Sequence, residues 1–279
     1  MTRIFLLLFT LSVFASCEKE VTNIQLPETK SKLVLGCFLV PSDTVINVTI
    51  TKSMPIFNNT STKAEVFVEN ASVTISDGVN SAILPEKGFG LYQVNSKIFP
   101  IIEGKEYTVS ASASSYDNVY GKCTVPKSVA AVNASLNGPI NTVGSSIELK
   151  WQDIPNQNDY YIVSVYGFSV NDSLSKSDTV YNYVFYSDEP YKDNGKDGHE
   201  MSISIKLKKA YEKKGYSFKG YSITIFNLEY NYYMYLKSFN KYNNNDPSNP
   251  FSEPALVYTN VDKGLGVVGG YTRFNFIKN

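Results

Sequence analysis

The sequence is poor in the residues from which hydrolytic and metal centres are usually built. It has one histidine, His199, and three cysteines, Cys17, Cys37 and Cys123. A Ser-His-Asp or Cys-His nucleophile would have to use that single imidazole. His199 follows the polar turn Asp193-Asn194-Gly195-Lys196-Asp197-Gly198 with no nucleophile elbow beside it, so it reads as a solvated loop residue. No His/Cys cluster has the spacing of zinc ligands. An excess of either charge is also missing, since 26 Lys and Arg balance 26 Asp and Glu. That balance gives no electrostatic reason to expect a nucleic acid or an anionic surface as partner. Gly264-Leu265-Gly266-Val267-Val268-Gly269-Gly270 contains a dinucleotide-like glycine spacing, but no βαβ pattern surrounds it. These glycines are expected to make tight turns and close backbone packing instead. No pair of carboxylates is singled out for glycoside hydrolysis. The absences together favour a chain that is not an enzyme and carries no cofactor.

What is present begins at the N-terminus. Arg3 is followed by an apolar run from Ile4 to Phe14, interrupted only by Thr10 and Ser12, and then by Ala15-Ser16-Cys17. The run is about half the ~20 residues that cross a bilayer as a helix, so residues 1–16 read as a signal peptide. Phe14-Ala15-Ser16-Cys17 resembles the bacterial lipobox, which predicts cleavage before an acylated Cys17. Loss of Arg3 leaves 25 basic against 26 acidic residues, a net charge of −1. Attachment to the bilayer is therefore expected through acyl chains, which need no basic patch. Residues 17–31 are polar, include Pro27 and form a lipidated tether. In an oxidising compartment Cys37 and Cys123 can pair as a disulfide, or they can stay as two small thiols buried inside strands.

Beyond the tether the chain alternates apolar and polar residues over strand-length runs. Leu33–Val40, Val45–Thr51, Ala64–Glu69, Ser72–Ser76, Gly90–Val94, Tyr107–Ala113 and Tyr120–Val125 are separated by turns such as Ser76-Asp77-Gly78 and Glu103-Gly104-Lys105. Seven short strands at this spacing predict an antiparallel sandwich over residues 32–126, of immunoglobulin-like or transthyretin-like kind. Pro126 to Val132 reads as a junction, and Asn133 to Gly144 as turn-rich. Ile147, Leu149 and Trp151 then share one face of a strand. With Asp153-Ile154-Pro155 and the Tyr160-Tyr161 strand behind them, they resemble the opening of a fibronectin type III module. Further strands are expected at Thr179–Tyr186, Glu200–Leu207 and Tyr221–Leu228. One amphipathic helix is expected near 228–241, where Leu228, Tyr232, Tyr235 and Phe239 recur at helical spacing. The fold class is thus mainly β, with two β-sandwich domains at 32–126 and 127–279 and a helix in the second.

Tyrosine is the abundant residue. Of 21, all but Tyr92, Tyr107, Tyr116 and Tyr120 lie at or beyond Tyr160. Tyr181, Tyr183 and Phe185 are expected to pack on one strand face, while Tyr230 and Tyr233 are the candidates for a binding surface. For metals, the turn at 193–198 fails the EF-hand pattern, because Gly195 and Ser204 stand where ligands belong. A loosely built calcium site using Asp193 and Asp197, with Asp188 and Glu189 nearby, is the one metal alternative.

Read in order, these segments resemble a lipoprotein family of the Bacteroidota known as domain of unknown function 4249. The resemblance is carried by Ser16-Cys17-Glu18-Lys19-Glu20, Lys32-Leu33-Val34-Leu35, Tyr107-Thr108-Val109-Ser110-Ala111 and Ser187-Asp188-Glu189. Asn249-Pro250-Phe251-Ser252-Glu253-Pro254 and Asn260-Val261-Asp262-Lys263-Gly264-Leu265-Gly266 carry it most specifically. It implies an outer-membrane lipoprotein that accompanies a TonB-dependent transporter, and it supplies no catalytic residues. Glu18, Lys19 and Glu20 resemble the signal that sends such lipoproteins to the cell surface, the alternative being the periplasmic face. Asp43-Thr44-Val45, Asp172-Ser173-Leu174 and Asp178-Thr179-Val180 resemble the O-glycosylation motif of these bacteria. The expectation is a membrane-anchored, non-catalytic binding or accessory subunit, the alternative a structural or adhesive envelope protein.

Overall fold

The computed structural model describes residues 30–54, 66–173, 178–187, 189–193, 195, 197–244 and 255–278. Cys17, Glu18, Lys19, Glu20 and the Asn249–Pro254 motif lie outside them. Residues Ser31–Asn279 form one compact unit. It is mainly β, and its strands are those that alternation dictates. β1 (Leu33–Leu39) and β2 (Val45–Lys52) bury every second residue. β3 (Ser72–Ser76), β7 (Glu106–Ser112) and β8 (Val119–Thr124) do the same from the facing layer. Two three-residue strands, β4 (Ser81–Ile83) and β5 (Glu86–Gly88), and β6 (Leu91–Asn95) complete the first sandwich.

The second sandwich contains β9 (Ala130–Asn137), β10 (Ser146–Gln152) and β14 (Glu200–Lys206) as one sheet. Facing it are β11 (Tyr160–Asn171), β12 (Thr179–Tyr186), the short β13 (Tyr191–Lys192) and β15 (Tyr216–Leu228). Helix α1 (Tyr230–Asn243) follows β15 directly. The helix begins two residues later than the aromatic spacing suggests, because Leu228 belongs to β15.

The last strand, β16 (Leu265–Lys278), joins the two halves. From Leu265 to Gly270 it runs parallel to β1, and from Tyr271 to Lys278 it pairs antiparallel with β15. One sheet therefore runs through both sandwiches in the order β12-β11-β15-β16-β1-β2-β6-β5, with β13 on β11. Two cores lie against it. One gathers Leu35, Val48, Ile75, Tyr107 and Val109 with Val261 and Val268 from the far end of the chain. The other gathers Ile147, Leu149, Trp151, Tyr161, Val163 and Ile223. A boundary drawn at 126/127 does not divide the cores cleanly, since Val261 and Val268 from beyond it complete the first core and residues Ser31–Asn279 form one compact unit.

Four readings differ from the structure. Of the glycine-rich segment at 264–270, residues 265–270 are half of a strand rather than turns, while the expected close backbone packing is present. Its glycines are needed because the strand is crowded: a Cβ on Gly266 would lie 2.1 Å from the Leu35 carbonyl oxygen. Residues 130–137, read as junction and turns, form β9. Of the expected strand Ala64–Glu69, residues 64 and 65 are not described, and the remainder makes only a bridge between Phe67 and Thr51. Cys37 and Cys123 are both buried free thiols, so the disulfide alternative is not what the structure shows. Burial raises both, Cys37 to about 12, which keeps them in the unreactive thiol form.

Candidate functional site

Helix α1 is positioned by its first residue and by aromatic packing. Glu229 has extended backbone geometry and its carboxylate accepts from the Asn231 and Tyr232 amides, a helix cap supplied by an acid. Tyr232 then packs against Phe38 at 4.4 Å and Tyr271 at 5.5 Å between ring centroids. Tyr233, at 5% exposure, stacks on Tyr160 at 4.1 Å with the rings nearly parallel. The predicted stripe is therefore rotated. Tyr233 is the buried member, Tyr235 stacks on Phe239, and Phe239 is 37% exposed.

This packing roofs a cleft of about 880 Å³ between the helix and the end of the second sandwich, a size typical of small-ligand sites. One wall is helical, with Tyr233, Met234, Lys237 and Lys241; the other is Glu189 to Lys192 with Met201 to Ile203. Pairing fixes the second wall, since Lys192 lies opposite Tyr160 on β11 and Met201 opposite Trp151 on β10. Lys192 comes within 5.0 Å of the Tyr233 ring centre and Lys237 within 6.0 Å. One buried ring thus carries two ammonium groups on its rim. The Tyr233 hydroxyl beside Lys192 raises that lysine, so it stays charged. Among the described residues, no carboxylate lies within ion-pair distance of Lys192, Lys237 or Lys241.

Of the two tyrosines proposed from sequence, Tyr233 is part of this floor and Tyr230 is exposed beside it. The strand tyrosines behave differently from expectation. A bulge in β12, opposite Val165 and Tyr166, turns Val184 and Phe185 towards the core. Tyr181 and Tyr183 are left 58% and 51% exposed beside Tyr166 and Tyr186. An irregularity of one residue, invisible in the alternating pattern, moved them to the outer face.

The two aspartates named for calcium lie together with a third, Asp153, with carboxylate oxygens within 4.8 Å of one another. Glu189 is on the cleft wall instead, and Asp188 is not described. Asp153 is already engaged: it accepts from the Tyr161 hydroxyl at 2.7 Å and from the Gly198 amide at 2.9 Å. Asp197 accepts from the Asn156 amide. Asp153 and Asp197 therefore dock residues 197–199 onto the loop after β10. His199 is exposed, and only its carbonyl takes part, accepting from the Asp153 amide.

Beneath this turn lies a buried polar network that sequence reasoning did not find. Asn227 donates to Asp159 and to the Lys127 carbonyl, which also accepts from Thr272, so the segment between the sandwiches is held by both. Burial raises Asp159 to about 6, with Asp153 adding to the effect, and burial raises Glu229 to about 7. Both fold with carboxyl groups that hold protons more tightly than in the unfolded chain. Their contribution is therefore complete at low pH and is lost as pH rises from about 4 to 7. Two such shifts are worth on the order of 2–4 kcal/mol together after allowance for partial exposure. Asp77 works in the opposite sense, because Lys105 at its side holds it low and that contribution is lost in acid. Thermal stability is expected to peak near pH 5 and to fall through pH 7. Glu229→Gln should flatten that fall, and an unchanged slope in a melting series would exclude Glu229 as its source.

Comparison with known proteins adds a family and little else. A family model described as "Domain of unknown function (DUF4249)" matches residues 19–276. No curated protein matches the chain. A solved two-domain fibronectin type III segment from chicken tenascin is similar at 13% identity, over 72% of this chain and 91% of that one, with a TM-score of 0.20.

Proposed function

This chain belongs to the family of domain of unknown function 4249, and on that basis we propose that it is a membrane-anchored lipoprotein acting as a non-catalytic binding subunit of an outer-membrane uptake system, with a TonB-dependent outer-membrane protein as its partner. The observation that carries the reading is the helix-roofed cleft, a ligand-sized space whose walls are fixed by strand pairing and ring stacking. The lipobox-like Phe14-Ala15-Ser16-Cys17 supports anchoring by acyl chains. Among the described residues no helix is long and apolar enough to cross a membrane. Capture at the membrane surface followed by transfer to a transporter needs those features and no catalytic group.

A tagged copy taken from gently solubilised membranes is expected to bring a large outer-membrane β-barrel with it. Recovery of the lone monomer under those conditions would overturn the partnership. The exposed ladder of Tyr166, Tyr181, Tyr183 and Tyr186 favours a second reading, an adhesive or structural envelope protein, because exposed aromatic faces serve macromolecular contact. A deletion strain separates the two: lost nutrient uptake supports the first, lost adhesion with normal uptake the second.

A further inference from the structure

We infer that the cleft under helix α1 takes an organic anion, its carboxylate, sulfonate or phosphate group held by Lys192, Lys237 and Lys241 and its apolar body lying against Tyr191, Tyr233, Met201 and Met234. The inference rests on the binding reading above and names its ligand class. The first argument is charge. The chain as a whole has no net charge, yet the cleft collects three ammonium groups against one carboxylate, Glu189. Lys237 and Lys241 are four residues apart on one helix, where like charges repel. The helix C-terminus offsets part of that repulsion for Lys241, which lies in the last turn. It gives no account of Lys192, which arrives from β13 on the opposite wall and is fixed there by its pairing with Tyr160.

The second argument is the floor. Tyr233 is held by its stack on Tyr160, so the ring shared by Lys192 and Lys237 cannot swing away. Both cations are thereby kept at the cleft with their charge unmatched by any carboxylate of the described residues. The rest of the lining combines apolar side chains with the polar Ser202, Ser238, Asn240 and Asn244. Two methionines, Met234 of the helix and Met201 of β14, line the cleft, and methionine accommodates varied apolar shapes. An anionic head and an apolar body are the two parts such a lining can recognise together. A purely apolar ligand would leave three ammonium groups partly desolvated and unpaired, and a small inorganic ion would leave the floor uncovered.

The test uses the mature chain and a pair of fluorescent probes of similar shape, the anion 8-anilinonaphthalene-1-sulfonate and the neutral N-phenyl-1-naphthylamine. The sulfonate is expected to bind at one site, at least about tenfold more tightly than the neutral probe, and to weaken with salt. Lys192→Gln combined with Lys237→Gln and Lys241→Gln should remove that preference, bringing the sulfonate's affinity down to that of the neutral probe. Ser202→Trp, placed to fill the cleft, should abolish both. Equal affinity for the two probes, unaffected by the lysine substitutions but abolished by Ser202→Trp, would overturn the anion assignment and leave a binding cleft. Binding of neither probe, or binding indifferent to Ser202→Trp, would overturn the assignment together with the cleft as a ligand site. Melting curves of each variant establish that the probes report the folded chain.

Discussion

Gly266→Ala is expected to lower the folding stability of the mature chain by about 3–5 kcal/mol, because backbone strain and overpacking act at the same atom. Gly266 has φ of +106°, a region that side chains rarely enter, and its added methyl would meet the Leu35 oxygen, carbonyl carbon and nitrogen at 2.1, 2.8 and 2.9 Å. All three are backbone atoms in the middle of β1, which is hydrogen-bonded on both sides, so neither strand can step back without breaking pairs to β2 or β15. Gly78→Ala provides the comparison. Its φ of +85° is also unfavourable, but nothing lies within 4 Å, and about 1 kcal/mol is expected. Guanidinium melts of both variants measure the difference. If the two cost the same, the close approach of β1 and β16 is not as described.

Under the proposed lipid anchoring, Cys17→Ser is expected to move the protein from the membrane to the soluble fraction, with at least about a tenfold fall in the sedimenting share, since acyl chains supply about 0.8 kcal/mol per buried methylene. The serine hydroxyl cannot form the thioether on which lipoprotein processing depends. The mature chain offers no substitute anchor in its charge, which is −1 once Arg3 is removed. Fractionation and labelling with a radioactive fatty acid read the two consequences separately. A variant that loses the label but still sediments would show that protein contacts, not acyl chains, retain it.

The strands with strong alternation could be read directly. Leu33, Leu35, Cys37 and Leu39 point one way because a pleated strand alternates, and the structure buries those four. β9 escaped notice because its inward residues are Val132, Ala134 and Leu136, with a small residue where a branched one would have marked a strand. β16 escaped because three glycines depress strand propensity, and each is there for a neighbour elsewhere in the chain: Gly266 for Leu35, Gly269 for Tyr232 and Gly270 for Val125. Tyr233 was identifiable as an aromatic of interest, but its place in a cleft was not. The opposite wall comes from 189–192 and 201–203, and each lysine viewed alone is an ordinary solvated charge. Periodicity reports what one element buries. It does not report which separate elements meet, and both the cleft and the polar network around Asp159 are products of such meetings.

The position of β1 has a mechanical consequence. β1 is the first strand of the described chain and an interior one, bonded to β16 on one side and β2 on the other. Tension applied at the N-terminal end of this strand meets two ladders loaded in shear, so many hydrogen bonds must yield together rather than one after another from an edge. From β1 the load passes to β16, and from β16 both to β15 and to the helix packed on it. Under the proposed lipid anchoring, a partner that gripped the helix end of the second sandwich would pull against the anchor through a continuous line of backbone, without the sandwiches being peeled apart.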